Sequence, residues 1–79
     1  MRLEVRVFSG LEKFVDGVTF GQAFEMELPE GANGRDLLEL LGIPENQVFS
    51  ILANGKHFSL GDKFGPGDRV ALFPPVGGG

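Results

Sequence analysis

Few side chains in this 79-residue sequence could carry out a reaction. There is no cysteine, which excludes a thiol nucleophile, a disulfide framework and a structural cysteine cluster. The one histidine, His57, cannot build a zinc site, so no metal centre is expected. Asp62 and Asp68, or Glu25 and Glu27, resemble carboxylate pairs, but turn capping and solvated sheet faces account for them. No Gly-x-x-x-x-Gly-Lys-Ser/Thr loop is present to hold a nucleotide. What remains is main chain: the ending Phe73-Pro74-Pro75-Val76-Gly77-Gly78-Gly79. Val76 to Gly79 can extend roughly 13 Å, at about 3.3 Å per residue. Without Cβ atoms, Gly77, Gly78 and Gly79 could thread a narrow channel in another protein. Pro74 and Pro75 would stiffen the stem and limit the entropy lost on threading. What these residues offer is an extended chain end free of reactive side chains. Taken alone, three glycines equally suit a frayed chain end or a cloning remnant.

A rigid domain must hold that stem. Arg2 to Phe8 alternates, with Leu3, Val5 and Val7 on one face and Arg2, Glu4, Arg6 and Phe8 on the other. Ser9-Gly10 breaks the strand, and Leu11 to Val15 fits one helical turn. A second alternation runs from Ala23 to Leu28 and stops at Pro29. Asn33 reads as an N-cap with Asp36 three residues on. Leu37, Leu38, Leu40 and Leu41 would form the apolar face of a short helix, closed by Gly42 and Pro44. Phe49 to Ala53 reads as a strand, Asn54-Gly55 as a type I′ hairpin turn, and Lys56 to Leu60 as its return. Gly65-Pro66-Gly67-Asp68 is a turn, and Arg69 to Phe73 is the last strand, with Val70 and Leu72 facing inward.

This order predicts an α+β fold, a single mixed sheet against one main helix with the first and last strands as parallel neighbours. Residues 1–75 read as one domain and 76–79 as a glycine tail. With eight phenylalanines and no tryptophan or tyrosine, the rings are expected to supply much of the core. Phe8 and Phe73 both fall on the outer side of their strands, so parallel pairing would bring them together beside the tail. An exposed apolar spot of that kind suits a partner interface, although the helix or the segment around Phe14 could instead cover it. His57, in the short return strand, could border the same surface or simply be solvated.

The net charge is −4, and the seven basic residues form no stripe that could follow a phosphate backbone, which argues against nucleic acid. Mild acidity suits solubility or docking on a basic partner. The N-terminus does not read as a signal peptide and no apolar run approaches a membrane span, so a cytoplasmic protein without a membrane partner is expected.

Three stretches carry a resemblance over nearly the whole chain. They are Leu28-Pro29-Glu30-Gly31-Ala32-Asn33 leading into Asp36-Leu37-Leu38, Leu60 to Val70 with Gly67-Asp68-Arg69-Val70, and Phe73-Pro74-Pro75-Val76-Gly77-Gly78-Gly79. The pattern resembles the β-grasp, ubiquitin-like sulfur carriers of molybdopterin and thiamine biosynthesis. The Phe-Pro-Pro-Val stem is more similar to the small subunit of molybdopterin synthase. Two departures stand out: Asn33-Gly34 replaces a Thr and an apolar residue at the helix start, which would weaken it, and Gly77 adds a third glycine. The resemblance implies a carrier rather than an enzyme. An ATP-dependent, E1-like adenylating partner would activate the Gly79 carboxylate, and a sulfur donor protein would convert it to a thiocarboxylate. The molybdopterin synthase large subunit, or thiazole synthase, would consume it. No cofactor would be bound, ATP being used by the activating partner. Phe8, Phe73, Pro74, Pro75 and His57 would face these partners. A protein modifier, or a ubiquitin-like binding module without acyl chemistry, remains open.

Overall fold

The alternation of Arg2–Val7 forms strand β1, with Leu3, Val5 and Val7 fully buried on one side. The computed structural model describes residues 1–75, and the tail expected at 76–79 lies outside them. Four further strands follow: β2 (Phe24–Glu27), β3 (Ser50–Ala53), β4 (Lys56–His57) and β5 (Arg69–Phe73), with helix α1 (Gly34–Leu41) between β2 and β3. They make one sheet in the order β2-β1-β5-β3-β4. β1 and β5 are parallel at its centre, and every other pairing is antiparallel. This is the expected β-grasp, a mixed sheet with one main helix and its first and last strands side by side.

Register explains the core. Val5 lies opposite Val70 and Val7 opposite Leu72, while Leu72 also faces Ile51 on β3. These side chains share the inner face with Leu37, Leu38 and Leu41 of α1 in one buried cluster. The core is mainly aliphatic, contrary to the expectation from eight phenylalanines. Only Phe58 and Phe64 are buried, stacked 4.3 Å apart. The inward strand positions are already filled by Leu, Val and Ile, so most rings fall to the outer face, an edge strand and the loops.

Leu40 also departs from expectation, being 57% exposed. At about 100° per residue, Leu37, Leu38 and Leu41 span an arc of about 100°, and Leu40 falls about 60° outside it. The helix start is well formed. Asn33 Oδ1 accepts from the Asp36 amide at 3.0 Å, and Asp36 Oδ2 accepts from the Asn33 amide at 2.9 Å, a reciprocal capping box. Gly34 has a packing reason: a Cβ there would lie 3.0 Å from the Leu60 Cα and 3.1 Å from its carbonyl oxygen. At the other end Gly42 adopts φ 75°, and the Ile43 amide closes on the Leu38 carbonyl at 3.0 Å.

The return strand is shorter than expected. β4 holds only Lys56–His57, because Phe58 turns inward to stack on Phe64. β3 begins at Ser50, which leaves Phe49 outside it and 73% exposed. In the Asn54-Gly55 turn both residues have positive φ, 55° and 81°, as a type I′ turn demands. The Asn54 side chain donates to Asp68 Oδ1 and accepts from the Arg69 amide, tying the hairpin to the turn before β5. Asp62 and Asp68 cap their own turns through the Ser59 and Gly65 amides, each at 2.8 Å. Among the described residues, no helix is long and apolar enough to cross a membrane.

Candidate docking site at the root of the tail

The site starts from the parallel pairing of β1 and β5. Val7 is in register with Leu72, and the Phe8 amide donates to the Leu72 carbonyl at 3.2 Å, which sets Phe8 beside Phe73. The two rings stack with centroids 4.7 Å apart and planes 6° from parallel. Phe20 meets Phe8 edge-on at 5.6 Å and 86°. Both are favourable aromatic arrangements. Phe8 and Phe73 are half-buried, so the outer-face spot is less exposed than parity suggested. Phe20 and Gly21 of the loop entering β2 lie against the Phe8 ring.

Pro74 and Pro75 follow directly, half-buried and exposed respectively. Neither has an amide hydrogen, so the ladder cannot continue past Phe73. The last bond at this end runs from the Phe49 amide to the Phe73 carbonyl, 2.8 Å. The chain thus leaves the sheet at a point held on both sides, by Phe8 across β1 and by Phe49 ahead of β3. Gly77, Gly78 and Gly79 lie outside the described residues.

His57 is not brought to this spot. It sits on β4 opposite Leu52, with β3 between it and β5. It is exposed and borders a separate groove of about 250 Å³ with Val48, Phe49, Phe58 and Leu60.

The outer face carries ion pairs along β1. Arg2 pairs with Glu27 at 3.0 Å near the start of β1, and Arg6 pairs with Glu4 at 2.8 Å farther along it, opposite Ala71 of β5. These exposed pairs contribute little to stability but neutralise one another locally. Toward the tail, register puts Ala71 opposite Leu52 and leads to Phe73 and Phe8. The site contains no nucleophile and no acid–base pair; it can hold a protein surface and present the segment that follows Pro75.

Sequence reasoning missed Phe20 and Phe49. Phe20 lies in a stretch without periodicity, and Phe49 reads as the first residue of a strand. The one available signal for Phe20 was the Gly21 beside it, a residue suited to tight backbone approach.

Fold and topology define a small ubiquitin-like β-grasp protein. The chain belongs to the ThiS family of ubiquitin-like sulfur carriers, whose model matches residues 5–79. Among solved structures it is similar to a Pyrococcus furiosus protein described as molybdopterin converting factor subunit 1. The two share 30% identity over 96% of this chain and 99% of the other, with a TM-score of 0.71. Small archaeal modifier protein 1 of Haloferax volcanii aligns over the whole of both chains at 25% identity and a TM-score of 0.73. A Helicobacter pylori complex of molybdopterin-converting factor subunits 1 and 2 contains a chain matched over its whole length, at 25% identity and a TM-score of 0.62. No curated protein sequence matches significantly.

Proposed function

We propose that this chain is a sulfur carrier activated at the Gly79 carboxylate, serving as the small subunit of molybdopterin synthase in molybdenum cofactor biosynthesis. The observation that carries the reading is the Phe8–Phe73 stack at the base of the Pro74-Pro75 stem. It gives a partner a fixed apolar grip where the glycine tail departs. The similarity to subunit 1 of a molybdopterin converting factor, and to a complex of subunits 1 and 2, supports a large subunit as that partner. In this role the chain is a carrier and co-substrate, not an enzyme. An E1-like partner spends ATP to form an acyl-adenylate at Gly79, and a sulfur donor protein then displaces the adenylate to leave a thiocarboxylate. The large subunit consumes the sulfur and returns the carboxylate. The chain binds no cofactor of its own and works in the cytoplasm. Membership of the ThiS family keeps thiazole synthase as the alternative acceptor.

The similarity to a small archaeal modifier protein favours a second reading, in which the same carboxylate is joined to lysines of other proteins. Intact-mass analysis of the chain from its own host separates the two. Exchange of one terminal oxygen for sulfur is expected of the carrier, and isopeptide-linked Gly79 without any thiocarboxylate would displace it in favour of the modifier.

A further inference from the structure

Among the described residues three large apolar side chains are mainly exposed: Phe20, Leu40 and Phe49. Leu40 stands on α1, away from the tail. Phe20 is 55% exposed, yet its ring is seated edge-on against Phe8. Its position follows from how its loop is held. The Gly21 amide donates to the Val7 carbonyl at 2.9 Å, and the Gln22 amide closes a turn on the Thr19 carbonyl at 3.1 Å. Gly21 has φ +71°, and a Cβ there would come within 3.4 Å of Phe8 Cε1. The positive φ favours glycine there, and a Cβ would meet the Phe8 ring at ordinary contact distance. A connection that could have fluctuated is thereby pinned to the end of β1, and it delivers Phe20 to the rim of the Phe8–Phe73 stack.

The chain around Phe20 also states what it would meet. Residues 17–24 carry no charge, and the flanking charges are Asp16 and Glu25. Centres of protein interfaces are depleted in charged residues and enriched in aromatic ones. A ring ordered before binding loses little entropy when a partner covers it.

We infer that Phe20 is a third contact of the docking face, a loop-borne ring that receives an apolar side chain of the tail-accepting partner. The inference rests on the reading that the Phe8–Phe73 face docks that partner. The complementary surface is aliphatic or aromatic, matching a loop that carries no charged side chain. Partner recognition then depends on the β1–β2 loop as well as on the stem of the tail.

The probe is the molybdopterin synthase large subunit encoded in the same genome, titrated calorimetrically against the full chain and its variants. Phe20→Ser should weaken binding about ten-fold or more, Phe20→Leu should recover most of it, and Leu40→Ser on the helix should bind as the parent does. In the unmodified chain, the amide resonances of Thr19 to Gln22 should shift on titration, a readout that needs no substitution. If Phe73→Ser weakens binding while Phe20→Ser does not and the loop resonances stay still, the loop is outside the interface. The docking reading would then survive and this inference would not. Failure of the unmodified chain to bind would overturn both.

Discussion

Gly34 and the backbone of Leu60 are in close apposition, tighter than a side chain usually meets. A Cβ on Gly34 would lie 3.0 Å from the Leu60 Cα. The contact is further fixed by the Arg35 amide, which donates to the Leu60 carbonyl at 3.2 Å. The glycine that looked like a weak helix start is what lets α1 lie against the 59–62 turn.

Gly34→Ala should therefore be destabilising. In an unobstructed helix, exchanging Gly for Ala gains roughly 0.5–1 kcal/mol. Here the added methyl meets backbone, which cannot rotate away, and overpacking of this sort costs about 1–3 kcal/mol. The clash should win, with a net loss of about 1 kcal/mol in urea unfolding. A stabilised variant would mean that the Leu60 segment yields.

Asn33→Ala removes one half of the capping box, the Asn33 side-chain acceptor, and leaves Asp36 to cap the residue 33 amide alone. A loss of about 1 kcal/mol is expected, with an unchanged urea slope. Asn33→Ser, which keeps a side-chain acceptor, should recover most of it. Equal losses in the two variants would show that the side-chain cap contributes nothing.

The Phe8–Phe73 stack can be isolated from simple burial by a double-mutant cycle with alanine. A coupling of about 0.5–1.5 kcal/mol is expected for rings in contact. Thermal or urea unfolding of the four proteins measures it. Additive losses would mean that the rings neighbour each other without interacting.

Removal of Gly79 should leave the domain's unfolding curve unchanged, since among the described residues no core residue lies beyond Leu72. It should abolish sulfur loading in a reaction reconstituted with the adenylating enzyme and sulfur donor, read by intact mass. Loading of the shortened chain at normal rates would refute activation at Gly79. Loss of folding would show instead that the tail contributes to the domain.

Much of the architecture is local in origin and was legible in the residues. Alternation marked β1, β2 and β5, Asn33 and Gly42 bracketed α1, and Asn54-Gly55 specified its turn, because each signal acts over a few bonds. Even the meeting of Phe8 with Phe73 followed from strand parity once the first and last strands were taken as parallel. The sequence by itself also determined which groups are available for chemistry: no thiol, one imidazole, and a glycine ending. Tertiary structure decided what those local signals could not. Leu40 faces out, since the arc already held by Leu37, Leu38 and Leu41 fills the core side. Phe58 leaves the sheet because Phe64, six residues on, offers a stacking partner inside. Gly34 suits the Leu60 backbone packed against it, and Gly21 suits the φ of +71° at which its loop meets the Phe8 ring. Phe20 joins the stack only because a bond to Val7 holds its loop there. Each of these depends on atoms brought close by the fold, and spacing along the chain carries no record of them.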